Sequence, residues 1–159
     1  KTEESANNAL QSAGLVFLIT GAGGAFAAVI TASGVNGAIE SMVSNISGNV
    51  VVVLLLAYIL GLLFREITGS GTVASLTTFS IMQSVAAVTP IHPVFIALAC
   101  LSGAMFGATV NDSGFWIVTN MCGFNFSGGV KTYMLGEAIA SVVGIILIVI
   151  VGLISTLIL

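Results

Sequence analysis

Five stretches of this chain carry no charged side chain: residues 5–39, 41–64, 67–111, 113–130 and 138–159. A helix needs about 20 apolar residues to cross the hydrocarbon of a bilayer, and several of these stretches match that length. The apolar runs are continuous, whereas barrel strands alternate over about 10 residues, so helices are favoured. Three basic and six acidic residues among 159, with 57% hydrophobic residues, cannot coat a water-facing surface. Soluble domains carry roughly 25% charged residues. The sequence therefore predicts an all-α integral membrane protein, with the lipid bilayer as its first partner. The net charge is −3, and the charges are scattered too thinly to form a basic face, so nucleic acid is not an expected partner.

Two cysteines and one histidine supply no metal-ligand spacing, and neither a metal nor another cofactor is expected. Cys100 and Cys122 read as small core residues. The chain starts at Lys1 with a polar "KTEESANN" and no signal-peptide pattern, and it reads as a piece of something longer.

Along the chain, 10–33 is a first span, with Gly21, Gly23 and Gly24 suited to close helix packing. Residues 35–47 place Val35, Ile39, Met42, Val43 and Ile46 at helical spacing, as in a helix lying in the interface. An apolar run over 48–64 ends at "REITGSGT", and a more polar run resumes over 73–88. "TPIHP" (89–93) is a turn, with His92 as an interfacial residue. Residues 94–110 are apolar, and Gly103 and Gly107 form a GxxxG packing face. "NDSG" (111–114) interrupts that run, 122–131 is a glycine-rich loop, and 132–158 is a final span.

The two polar interruptions, 65–72 and 111–114, are the features that point to chemistry. Broken helices at membrane depth are tolerated only inside protein or beside a watery cavity. Each break is followed by a new helix start, with Thr72 and Ser113 as caps or near-caps and Ser70 and Asp112 close by. A helix N-terminus carries roughly half a positive charge and free N–H groups, so two aimed at one point make an anion site without a basic side chain. Secondary transporters build substrate sites from paired discontinuous helices in this way. The expected substrate-binding residues are Ser70, Gly71, Thr72, Asn111, Asp112 and Ser113. Asp112, Arg65 and Glu66 are the charges expected to couple an ion or to brace the structure, since intramembrane ionisable residues are costly. Arg65 and Glu66 are neighbours and point apart on a helix. Arg65 either contacts an anionic substrate or braces the 65–71 tip, and bracing is favoured because the helix N-termini already offer an anion site.

These residues resemble a known family. "REITGSGTVA" (Arg65 to Ala74) and "VNDSGFW" (Val110 to Trp116) are similar to two signatures of the gluconate permease family of proton symporters, and "LITGAGGAF" (18–26) resembles it as well. Glu66 stands where a neutral residue is expected, and Ala108-Thr109 where Ser-His is expected. The resemblance covers nearly the whole chain but only the C-terminal part of a family member. It implies one half of an inverted-repeat transporter with a re-entrant helical hairpin and a broken transmembrane helix. The hairpin is then 49–88, with arms 49–64 and 72–88, and the broken helix is 91–121. It also implies import of gluconate, a related sugar acid or D-serine, with a proton as coupling ion. The missing N-terminal half is then a required partner, and a homodimer stays open.

The implied location is the bacterial inner membrane. Lys1 and Lys131 fall on one side, which the positive-inside rule makes cytoplasmic and the C-terminus periplasmic. The alternatives are another ion-transporter branch, such as a citrate carrier or a sodium–proton antiporter, an intramembrane hydrolase, and a non-transporting assembly subunit. No His or Lys base stands beside the many serines, so an enzyme is not expected. An assembly subunit would not need two polar breaks.

Overall fold

The structure, a computed structural model, describes residues 2–34, 37–38, 41 and 49–158. It is helical, with no strand among the described residues. Helix α1 is Thr2–Ala32, α2 is Val50–Thr68, α3 is Gly71–Val88, α4 is Pro93–Ala104 and α5 is Ser113–Met121. A short α6, Phe126–Gly129, passes through a π-helical turn, Val130–Met134, into α7, Leu135–Ile158. Among the described residues, three helical segments are long and apolar enough to cross a membrane: Val50–Thr68, Gly71–Val88 and Phe126–Leu157. Most of the expected interfacial helix at 35–47 lies outside the described residues.

Local sequence explains where the helices start and stop. Asn49 caps α2 by accepting from Val52 N at 3.2 Å. The helix then runs on apolar residues until Gly69, whose φ of 63° is left-handed and whose N–H returns to Arg65 O. Thr68 Oγ1 bonds Phe64 O, and Ser70 caps α3 by accepting from Val73 N at 3.4 Å. The break is therefore Gly69-Ser70 alone, narrower than the expected 65–71 tip, and Arg65 and Glu66 sit in the last turn of α2. The reason is that the glycine and the two hydroxyls close the turn without help. Pro93 opens α4 after His92, which is exposed and accepts from Val94 N.

The helix directions follow from close contacts. Gly103 lies against the carbonyl of Tyr58, and Gly61 against Cys100 O and Ala104 N, with no room for a Cβ at either. Helices α2 and α4 thus run parallel at backbone contact, as small residues allow. Gly152 of α7 meets Leu54, Ile91 and Phe95, while Glu137 of α7 meets Arg65, so α7 is antiparallel to both. The start of α3 lines a cavity with Leu101–Met105, and its second half packs beside Pro93–Cys100, so α3 returns antiparallel to α2. Gly23 of α1 packs on Val73 and Leu76, and Thr31 lies beside Ser80–Ala87, so α1 runs alongside α3. Consequently the free ends of α2 and α3 lie at one end of the bundle.

The core joins Val53, Leu54, Ala57, Met82, Val85, Ile96, Ala99 and Cys100 with Ile145. Within it Tyr58 Oη pairs with Ser141 Oγ at 3.0 Å, and Ser102 and Ser141 each donate to the other's carbonyl, at 2.8 and 2.6 Å. These bonds tie α2, α4 and α7 where no water competes.

Two boundaries differ from expectation. Helix α4 ends at Ala104, so the second break spans 105–112 rather than 111–114. Gly107 falls inside it with φ 25°, against Met134, and forms no helical GxxxG face with Gly103. The chain is helical again from Phe126 because Asn125 accepts from Gly128 N, which shortens the expected 122–131 loop. Cys100 is buried as expected, but Cys122 is exposed at the end of α5.

Candidate functional site: two helix breaks joined by an ion-pair cluster

The two breaks meet. Gly69 is pressed against the backbone carbonyl of Asn111, and Asn111 Nδ2 donates to Glu66 O at 2.8 Å. Helix α3 leaves this junction toward one end of the bundle. Helix α5 leaves toward the other, because it packs back on the segment that descends into α7 through Phe115–Phe126 and Thr119–Gly129. Both present their N-termini to the junction. The caps are Ser70 and Asp112, whereas Thr72 and Ser113, expected as caps or near-caps, lie in the first turns. The side chain reaching back to the second or third helical N–H sets the cap, and Ser70 and Asp112 do this.

Asp112 answers the question of an expensive carboxylate in apolar sequence. Its Oδ1 accepts from Gly114 N at 2.6 Å, and its Oδ2 lies 2.5 Å from Arg65 Nη2. Arg65 is buried, in the last turn of α2, where the helix dipole favours a cation. The same Nη2 lies 3.4 Å from Glu137 Oε2, and that oxygen also accepts from Ala108 N at 2.9 Å. Arg65 Nη1 covers Gly71, where a Cβ would displace the guanidinium. Among the described residues neither Arg65 Nε nor Asp112 Oδ2 has a hydrogen-bond partner, so Asp112 meets Arg65 as an ion pair alone.

The expected site residues therefore divide. Arg65, Gly71 and Asp112 are brought into one cluster. Asn111 is exposed and joins the breaks, with its Oδ1 accepting from Thr109 Oγ1. Ser70 caps, Thr72 lines the neighbouring cavity, and Ser113 is exposed in the first turn of α5. Glu66 contributes its backbone carbonyl, and its half-buried carboxylate makes no ion pair among the described residues.

Sequence reasoning missed Glu137. It stands in the long C-terminal apolar segment, and its lone charge there was the available signal. Tyr133, one turn earlier, was missed too; its hydroxyl lies near Gly114.

An open cavity of about 720 Å³ adjoins the cluster. Arg65, Gly71, Thr72, Ser75, Ser102 and Glu137 give it a polar end, and Leu98, Leu101 and Ile148 an apolar one. On the other side of the break, Trp116 Nε1 donates to Val110 O at 2.9 Å, and Phe115, Trp116 and Phe126 pack ring on ring.

Membrane-length helices, two helix breaks in contact and a buried charge cluster beside a cavity are the parts of a membrane permease. The chain belongs to the GntP permease family, whose profile matches residues 1–154. It is 37% identical over 147 residues to the inner membrane permease YgbN of Escherichia coli, covering 92% of this chain and 32% of that protein. It is 34% identical over 140 residues to a gluconate permease of Pseudomonas aeruginosa, covering 87% of this chain and 30% of that protein. It is also 34% identical over 139 residues to the D-serine transporter DsdX of Escherichia coli, covering 87% of this chain and 31% of that protein. The chain thus spans about a third of the length of these relatives. No solved structure matches.

Proposed function

We propose that this chain forms the substrate- and proton-handling part of a secondary transporter that imports gluconate or a related small organic acid by proton symport. The carrying observation is the cluster at the junction of the breaks: one guanidinium against two carboxylates, Arg65 with Asp112 and Glu137. With all three ionised it holds one excess negative charge in a largely apolar surrounding. An organic anion brought near is repelled by that charge. At a separation of about 8 Å and an effective dielectric of about 20, the repulsion is roughly 2 kcal/mol. A proton on the cluster removes it, so proton and anion favour each other's binding, which is the thermodynamic content of coupling. The helix N-termini at Ser70 and Asp112 supply N–H groups for the anion's carboxylate. Relatives named as gluconate permeases and transporters support the substrate class, and one named for D-serine keeps a small amino acid in view.

In this reading α2 and α3 form a re-entrant hairpin that enters and leaves on one face. Their ends lie at one end of the bundle, although each arm is long enough to cross by itself. The N-terminal half of an inverted repeat completes the site. The inner membrane is its location, with the C-terminus periplasmic, and a homodimeric assembly is compatible with it.

The test is uptake by the complete permease in proteoliposomes with an imposed pH gradient. We expect gluconate to accumulate when the outside is acidic, without sodium, and to stop accumulating when a protonophore is added. Asp112→Asn is expected to abolish accumulation. Sodium-dependent uptake indifferent to the pH gradient would point instead to a sodium-coupled carrier of organic anions.

A further inference from the structure

We propose that Glu137 is the residue that carries the transported proton, while Asp112 serves as the fixed counter-ion of Arg65; this rests on the symport reading above. The two carboxylates share one guanidinium on unequal terms. Asp112 lies 2.5 Å from Arg65 Nη2, and its side chain is 7% exposed. It also accepts a backbone N–H at the start of α5, where the helix dipole favours an anion. Glu137 lies 3.4 Å from the same nitrogen, and its side chain is 22% exposed. It lines the cavity, so protons can reach it by water, whereas Asp112 is not among the cavity-lining residues.

The other groups around Glu137 fit this division. From α2 it faces Arg65, from the break Ala108 N and the Asp112 carboxylate, and from the π turn Tyr133. From α3 and α4 the cavity wall offers Thr72, Ser75 and Ser102 and no acidic or basic side chain. Arg65 is the sole cation in this set; its Nη2 lies closer to Asp112 but hydrogen-bonds Glu137.

Protonation has a structural consequence. The Glu137 carboxylate joins three parts of the molecule: its own helix α7, the last turn of α2 through Arg65, and the α4–α5 break through Ala108 N. A protonated Glu137 still accepts from Ala108 N through its carbonyl oxygen but no longer pairs with a cation. Adding the proton therefore removes the ion pair between the last turn of α2 and the start of α7, while the Tyr58–Ser141 bond and the break's anchor stay. The π turn immediately before Glu137 marks the part of this helix that departs from regular α-helical bonding, and such turns are frequent at functional sites.

Glu137→Gln tests this, because it keeps the acceptor for Ala108 N and removes the charge. In the complete permease, pH-gradient-driven accumulation is expected to be lost, while gluconate exchange at equal pH falls far less. Accumulation equal to that of the parent overturns the proposal. Infrared titration of the purified protein reads the proton without substrate: the difference between parent and Glu137→Gln is expected to contain one protonated-carboxyl band. A difference without that band overturns the proposal as well. Should Glu137→Gln fail to reach the membrane, Glu137→Asp is expected to shift the pH midpoint of the band, and an unmoved midpoint counts against Glu137. If the parent accumulates no gluconate under a pH gradient, the symport reading fails on its own, and the infrared outcome still decides whether Glu137 holds a proton.

Discussion

The two helix breaks solve the same problem by opposite means. The α2–α3 tip needs only Gly69 and Ser70, and its polar groups are satisfied within a few residues. Gly69 N–H returns to Arg65 O, Thr68 Oγ1 bonds Phe64 O, and Ser70 Oγ caps Val73 N. The α4–α5 break runs over 105–112, and most of what holds it comes from elsewhere. Glu137 takes Ala108 N, Arg65 takes Asp112, and Asn111 reaches across to Glu66 O. A break closed by its neighbours is a rigid corner. A break held by distant charged groups depends on those groups for its shape.

The largest expected effect comes from removing what the two breaks share. Arg65→Ala leaves Asp112 buried without its cation, and breaking a buried pair from one side costs about 3–5 kcal/mol. We expect sharply reduced folded yield and a lower melting temperature in detergent. Parent-like stability would show that the breaks do not depend on this pair.

A smaller effect separates the two backbones. Gly69→Ala puts a side chain at φ 63° and drives a Cβ into the Asn111 carbonyl. Strained backbone of this kind costs of order 1–3 kcal/mol before the clash is counted. Gly107→Ala also sits at positive φ, but its nearest neighbour to a new Cβ is Met134 O at 3.3 Å, an easier contact to relieve. Thermal unfolding should therefore show Gly69→Ala as the more damaging of the two. The reverse order would make the longer break the stiffer one.

The smallest effect concerns the caps. Ser70→Ala removes a bond of 3.4 Å, and loss of a serine cap costs typically about 1 kcal/mol or less at such lengths. Uptake kinetics and melting temperature should barely move. A large loss of uptake at unchanged stability would instead mark Ser70 as a substrate ligand.

Much of the shorter break was legible. A glycine between two apolar arms, followed by a serine, states where the chain turns, although the expected tip was drawn too wide. The apolar runs announce helices because each residue's neighbours in sequence are also its hydrogen-bond partners. The longer break was legible at Asn111 and Asp112, but its start at Met105 was not. "MFGATV" is apolar, and nothing in its own composition says that helix α4 must stop at Ala104.

The sequence alone determined a membrane protein of apolar helices, the positions of two polar interruptions and the presence of buried charge at Arg65 and Asp112. Local hydrogen bonding and the cost of charge in lipid act along the chain, and they can be read along it. Only the tertiary structure decided that the interruptions touch, that Arg65 braces two carboxylates, and that one of them is Glu137, a residue 72 positions away. Ion pairs depend on distance in space, and no spacing in a linear chain encodes which distant carboxylate a folded helix will bring to a guanidinium.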